Sequence, residues 1–112
     1  MDNDERRSEP RVALDEPVKL QIVTCRHEEL VGKEILGRTK DASGSALRLK
    51  LVQPVPVGGQ VDLWIEGDGD TRKFFLSGHV LWERDVQDGF ELGVMLYEGA
   101  ATDIDNWRAQ YQ

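Results

Sequence analysis

The sequence predicts a mainly β protein, a small six-stranded antiparallel β-barrel with a short C-terminal helix and a flexible N-terminal tail. Two observations lead to this fold class. Apolar and polar residues alternate along most of the chain, and clusters of glycine, proline and aspartate separate the alternating stretches. With 112 residues, of which 39% are hydrophobic, the chain has the size of one domain with one core. We therefore expect a tail at residues 1–11 and a single barrel domain at residues 12–112.

The strand predictions rest on a period of two, which places successive side chains on opposite faces of a half-buried antiparallel strand. Apolar residues recur at every second position in residues 18–22, 47–51, 61–65 and 90–96. A further strand begins near Lys73 and carries Val80 and Trp82. Six strands at this short spacing are typical of a small barrel.

The segments between the strands carry turn signals. Residues 54–59 read PVPVGG, and proline lacks the hydrogen-bond donor that a central strand needs. Residues 66–70 read EGDGD, which is typical of a hairpin loop, and Asp88-Gly89 indicates the next reversal.

The two ends of the chain differ from the strand-rich part. Residues 1–11 are polar after Met1, and Pro10 disfavours a helix there. Near the other end, Thr102 is placed to cap a short helix in which Ile104 and Trp107 share a face. A helix this short does not form alone, so we expect it to pack on the barrel.

Charge and composition exclude several classes of function. There are 21 Asp and Glu and 14 Lys and Arg, a net charge of −7, which argues against a protein that coats DNA or RNA. No apolar run is long enough to span a bilayer, and the first residues lack the pattern of a secretory signal. We therefore expect a cytoplasmic protein with neither nucleic acid nor membrane as its partner.

Cysteine and histidine are too few for a metal cluster or a disulfide. Cys25 is the single cysteine, and His27 and His79 are the two histidines. No residues are spaced as a nucleophile with an oriented base, so we expect neither an enzyme nor a bound metal or cofactor.

Arginines are concentrated near the N terminus. Arg6, Arg7 and Arg11 fall within six residues of an acidic chain, and each guanidinium offers a planar fork that matches phosphate oxygens or the O6/N7 edge of guanine. Taken alone, the segment also fits a solvated tail that improves solubility.

A second motif, DASGSA, occupies residues 41–46 between two strands. Asp41 and Ser43 can bond nearby backbone amides, which is ordinary turn chemistry. The functional interpretation is that the carboxylate accepts from a base edge while the hydroxyl bonds a base or a phosphate.

Together, RxxxR from Arg7 to Arg11 and DxSxxA from Asp41 to Ala46 resemble the PilZ domain family, bacterial receptors for cyclic di-GMP. That family carries RxxxR near its N terminus and (D/N)xSxxG after its early strands. Residues 76–84, with GHVLW, resemble its GxVxW strand, and residues 90–96 resemble the strand that usually reads LGVxF. The resemblance covers most of residues 6–112. Two positions depart from it, because Ala46 replaces a glycine and Leu96 a phenylalanine.

The resemblance implies a PilZ-like barrel that binds cyclic di-GMP and passes the signal to an unidentified partner protein. Arg7 and Arg11 would hold phosphate oxygens and a guanine Hoogsteen edge, and Arg6 would add a contact. Asp41 would accept from the guanine N1/N2 edge, while Ser43 would fix the loop or donate to the ligand. An arginine in the place of Arg6 tends to accompany a stacked pair of ligands, which predicts two molecules per chain.

Two residues leave alternatives open. Trp82 either packs in the core in phase with Val80 or offers a stacking surface for a guanine. Ala46 adds one methyl where the family has glycine, so we expect weakened rather than lost binding. The alternative is a PilZ-fold protein–protein interaction module that does not bind nucleotide.

Overall fold

Antiparallel strands make up most of the computed structural model, which describes residues 11–66, 73–99 and 101–111. The elements within these residues are β1 (Val12–Ala13), β2 (Pro17–Thr24), a 3₁₀ turn (Glu28–Leu30), β3 (Glu34–Ala42), β4 (Ala46–Leu51), β5 (Gln60–Glu66), β6 (Lys73–Val86), β7 (Gly89–Leu96) and the helix α1 (Ile104–Ala109). The expected tail lies outside the described residues, apart from Arg11.

Six of these strands close into the predicted barrel. Their order is β3-β2-β5-β6-β7-β4, and the pairing of β4 with β3 closes the ring. Each pairing is antiparallel. The short β1 pairs with the end of β3, where Val12 lies opposite Ala42 and Ala13 opposite Asp41. The expected barrel with one short C-terminal helix is confirmed.

The barrel interior is filled by the alternating apolar side chains of its strands. Many of them are completely buried, among them Leu20, Leu49, Leu63, Leu76 and Leu92. Full burial of a leucine side chain contributes about 1.5–3 kcal/mol relative to exposure, so these positions dominate stability. The hairpin predicted around residues 66–70 agrees with the register, in which Glu66 pairs with Lys73. Its loop lies outside the described residues.

The C-terminal helix covers the barrel through Ile104 and Trp107, which are both buried. The Trp107 ring meets the Phe74 ring edge-on, with centroids 5.2 Å apart. The sequence placed Thr102 as the cap of this helix. In the structure Asp103 takes the N-cap position, so the helix begins one residue later than predicted. The Asp103 carboxylate accepts a hydrogen bond from the Phe75 amide at 2.8 Å, which ties the helix to β6.

A bulge in β6 changes which residues face the core. Val80 pairs with Val94 and Trp82 with Gly93, so Leu81 and Trp82 together oppose one residue of β7. Val80 is buried, whereas Trp82 is 39% exposed. The core-packing alternative for Trp82 is therefore wrong, because the extra residue takes its side chain out of phase with Val80.

In the described part of the chain, no helix is both long and apolar enough to cross a membrane. Within the same residues, His, Cys, Asp and Glu side chains form no group that could hold a metal ion.

The backbones of β6 and β7 approach each other closely at Gly78. A Cβ on Gly78 would lie 2.2 Å from the Met95 carbonyl oxygen, a backbone atom that cannot move aside alone. Gly78→Ala should therefore lower the free energy of unfolding by about 1–3 kcal/mol in denaturant titrations. Gly99→Ala is the matched control, since its Cβ would meet no atom within 4 Å. Equal stability of the two variants would contradict this packing.

Candidate functional site

The structure brings the ends of the two sequence motifs together. The Arg11 guanidinium donates from Nη2 to Asp41 Oδ1 at 2.5 Å, although the residues are 30 positions apart. The pairing of Ala13 with Asp41 places Arg11 there, because β1 starts directly after it. Arg6 and Arg7, the other predicted arginines, lie outside the described residues.

A second arginine occupies the other oxygen of the same carboxylate. Arg48 lies opposite Asp41 in the β3–β4 pairing and donates from Nε to Oδ2 at 2.9 Å. Its Nη2 lies 2.8 Å from the same oxygen. The Asp41 side chain is 19% exposed, so its oxygens are largely satisfied by two guanidiniums rather than by water.

Glu91 extends the array across the next strands. Its Oε1 accepts from Arg84 Nη2 at 2.7 Å, from Arg84 Nε at 3.1 Å and from Arg48 Nη1 at 3.3 Å. The hydrogen bond from Arg84 lowers the pKa of Glu91 below its usual 4.5, although burial alone would raise it. Glu91 therefore stays ionised between two cations.

These contacts form one ion-pair network on the outer face of β3, β4, β7 and β6. Its members are Arg11, Asp41, Arg48, Glu91 and Arg84. Three guanidiniums face two carboxylates, so the network carries one net positive charge on a chain whose total is −7. Such a face is suited to an anionic ligand that can compete for the guanidiniums.

Trp82 lies beside the ion-pair network. It is in register with Gly93, which is in register with Arg48. A Cβ on Gly93 would lie 2.2 Å from the indole Nε1, so the indole sits closely against the glycine backbone. The Arg84 Cζ lies 5.7 Å from the indole centroid. The structure thus puts a partly exposed indole next to guanidiniums.

Ser43 holds the loop between β3 and β4. Ser43 is buried, and its backbone amide donates to the Ala46 carbonyl at 2.9 Å. The Ser43 Oγ accepts a hydrogen bond from the Ser45 backbone amide at 3.4 Å. The Ser43 carbonyl accepts from Trp107 Nε1 at 3.2 Å. These contacts brace the loop and connect it to α1.

Ala46 is the first residue of β4 and pairs with Met95. Among the described residues, no side-chain-bearing residue has a positive φ, so Ala46 does not occupy a conformation that requires glycine. The departure from the family's motif therefore leaves the local backbone unstrained.

Sequence reasoning missed Arg48, Glu91 and Arg84 as members of the site. Arg48 and Glu91 lie on the outward-facing positions of strands that are paired only in the barrel, 43 residues apart in sequence. The sequence does contain one indication of Arg84, because this residue follows the predicted site residue Trp82 by two positions on the same strand. That spacing points to the site only when β6, β7 and β4 are known to be neighbours.

The ion-pair network should make stability depend on pH. The pKa of Glu91 is lowered in the folded protein, so its stabilisation is present above the unfolded pKa and is lost as pH falls through the folded value. Glu91→Gln should be less stable than the parent at pH 7, and the difference should shrink below about pH 4.5. Unfolding titrations at several pH values measure this.

Asp15→Asn is the matched control for that experiment. Arg38 likewise lowers the pKa of Asp15, but this carboxylate is 77% exposed and pairs with one arginine. Its removal should change stability little, as for other exposed pairs. A Glu91→Gln deficit that stays constant from pH 7 to pH 3 would contradict the assignment.

A family model matches most of the chain. The model of the PilZ domain matches residues 5–109. Among curated proteins, no sequence match was found.

Solved structures share the fold. The chain is similar to the Bacillus subtilis inhibitor of motility MotI/DgrA, with a TM-score of 0.71, 17% identity and 95% of this chain covered. It spans about half the length of that protein, 49%. The chain is also similar to the PilZ domain of CeSA from a cellulose-synthesizing bacterium, with a TM-score of 0.63 and 14% identity; the match covers 89% of this chain and 91% of that one. The PilZ domain of Escherichia coli YcgR, solved with c-di-GMP, matches with a TM-score of 0.65 and 14% identity, and the match covers 96% of this chain and 86% of that one.

Proposed function

The chain belongs to the PilZ domain family, and on that premise we propose that it is a receptor for cyclic di-GMP that signals to a partner protein. The observation that supports the proposal is the contact between Arg11, the last residue of RxxxR, and Asp41, the first residue of DxSxxA. The family consists of receptor and adaptor proteins, and YcgR was solved with this ligand.

The ligand's groups correspond to the groups of the site. Cyclic di-GMP carries two phosphates and two guanines. A guanine N1/N2 edge would donate to Asp41, while phosphate oxygens would accept from the arginine forks of Arg7 and Arg11. Arg11 now pairs with Asp41, so binding exchanges one set of charged hydrogen bonds for another rather than leaving a charge unpaired.

The exposed Trp82 extends the proposed site. Its indole is 39% exposed and lies in register with Gly93 and Arg48, along the outer face that also holds Asp41. A guanine stacked on this ring would keep its phosphate close to the guanidiniums of the ion-pair network. We propose two ligand molecules per chain, with Arg6 supplying the extra cation that offsets four clustered phosphates.

Calorimetric titration with cyclic di-GMP tests the site. Arg11→Ala should weaken binding by roughly 1.5–3 kcal/mol, which is about 10- to 150-fold, because a charged hydrogen bond is lost. Arg7→Ala should act in the same way. Folding stability should change little, since the Arg11 side chain is 51% exposed. The parent titration should saturate at two ligands per chain.

Arg38→Ala is the matched control. Arg38 is also about half exposed and pairs with Asp15 at 2.5 Å, but it lies outside the ion-pair network. Its removal should leave the affinity unchanged. Equal affinities of the parent and both motif variants would overturn the assignment of these arginines.

The alternative, an interaction module that does not bind nucleotide, predicts no heat of binding in the same titration. Its support came from the replacement of glycine by Ala46. The strand conformation of Ala46 weakens that support, because alanine fits there without a positive φ.

We propose further that ligand binding orders the arginine segment. Residues 1–10 carry no apolar side chain after Met1 that could hold them to the core, and fixing a residue costs about 1–2 kcal/mol. Charge-assisted bonds from Arg6 and Arg7 to phosphates would offset that cost. Backbone NMR relaxation should show the amides of residues 5–11, except Pro10, which has no N–H, becoming rigid when cyclic di-GMP is added. Amides that are already rigid in the free protein would refute the mechanism.

A further inference from the structure

Arg48 uses its guanidinium differently from the other two arginines of the ion-pair network. Its Nε and Nη2 lie 2.9 and 2.8 Å from Asp41 Oδ2, and its Nη1 donates to Glu91 Oε1 at 3.3 Å. Within the described residues, Arg11 and Arg84 each pair with a single carboxylate. The Arg48 side chain is also the least exposed of the three, at 32%, against 51% for Arg11 and 60% for Arg84. Arg48 is therefore the arginine that the protein itself engages most fully.

The two oxygens of Asp41 are held unequally. Release of Arg48 to a ligand would take donors from two carboxylates that are only 19% and 11% exposed, so water could not fully replace the guanidinium. Arg11 can leave at lower cost, because it contacts only Oδ1 of Asp41 and its side chain already reaches solvent. Oδ2 thus stays with Arg48, and Oδ1 is the oxygen that an incoming donor can take over.

The place of Asp41 in its strand explains why its carboxylate has to be held. The β3–β4 register shifts between Thr39 and Asp41, and a bulge of this kind re-aims the side chain beside it. Arg48 lies directly opposite Asp41 in the same pairing, so its fork reaches Oδ2 from the neighbouring strand. Two donors of one rigid planar group fix a carboxylate more firmly than a single ammonium can.

We propose that Arg48 is a positioning residue of the nucleotide site: it holds Asp41 through Oδ2 and keeps Oδ1 available to a guanine edge, while Arg11 is the arginine that exchanges. The inference rests on the proposed function and adds a residue that lies outside both sequence motifs. Glu91 supports the arrangement, because it accepts from Arg48 and is itself held by two nitrogens of Arg84. An acceptor that is already oriented loses less freedom when the ligand binds.

Arg48→Lys tests this role, since it keeps the positive charge and removes the fork. A lysine ammonium is one nitrogen, which cannot replace the three separate nitrogens that now hold Asp41 and Glu91. In calorimetric titration, cyclic di-GMP should bind this variant about 3- to 10-fold more weakly than the parent. Circular dichroism checks that the variant is folded.

Arg38→Lys is the matched control for that substitution. Arg38 also donates from two nitrogens to one aspartate, Asp15, but this pair lies outside the ion-pair network. Its affinity for cyclic di-GMP should equal that of the parent. An unchanged affinity in Arg48→Lys, or an equal loss in both lysine variants, would overturn the proposal.

A double-mutant cycle separates positioning from direct contact with the ligand and from a general effect on the fold. In an Asp41→Ala background there is no carboxylate to orient, so adding Arg48→Lys should change the affinity by no more than about twofold. The ligand side gives a second measure in the parent background. Cyclic di-IMP has the same phosphates but lacks the guanine N2 amine, so Arg48→Lys should weaken its binding less than that of cyclic di-GMP.

The outcomes distinguish this inference from the proposed function. If Arg48→Lys costs the same affinity with and without Asp41, or the same for both ligands, Arg48 does not act through Asp41 and the positioning role is overturned alone. A parent that binds no cyclic di-GMP would overturn the proposed function, and the positioning role with it.

Discussion

The pairing of β3 with β4 is the constraint on which the rest of the structure depends. It closes the barrel, and it sets Asp41 opposite Arg48 with the loop of Ser43 between the two strands. β1 can add to β3 only beside Asp41 and Ala42, which fixes where the N-terminal arginine segment meets the barrel. The β3–β4 pairing thus closes the barrel around its core, positions Asp41, and determines the side from which Arg11 reaches Asp41.

The same loop is held from the opposite side by the C-terminal helix. Trp107 donates to the Ser43 carbonyl, and Arg108 donates to the Gly44 carbonyl at 3.1 Å while pairing with Glu98 at 2.8 Å. Trp107 is also buried against Phe74, so one side chain serves both packing and loop support. Because both carbonyls already have donors, the loop keeps its shape without a ligand, and Asp41 stands on a fixed backbone.

How far the sequence predicts this protein depends on whether a feature is local. The alternation of Leu47, Leu49 and Leu51 predicts their burial, and the turn signals place the strand ends. β3 is harder to recognise, because a bulge between Thr39 and Asp41 interrupts its alternation. Trp82 shows the same limit, since a bulge that depends on β7 decides its side. The network formed by Arg48 and Glu91 depends on strand neighbours that no local pattern specifies.

The ion-pair network has a consequence for selectivity under the proposed function. Its guanidiniums are already paired with Asp41 and Glu91, so a ligand gains only the difference between its own contacts and the ones that it replaces. A neutral nucleoside brings no anion to replace a carboxylate, and it would leave a partly buried guanidinium without a partner. A ligand with both phosphates and guanines replaces each lost bond, because its anions take the arginines while its base edge takes Asp41. Asp41 and Glu91 would thus lower the affinity for ligands that carry little negative charge. The exposed Trp82 would add a stacking interaction with a guanine, which phosphate alone cannot make.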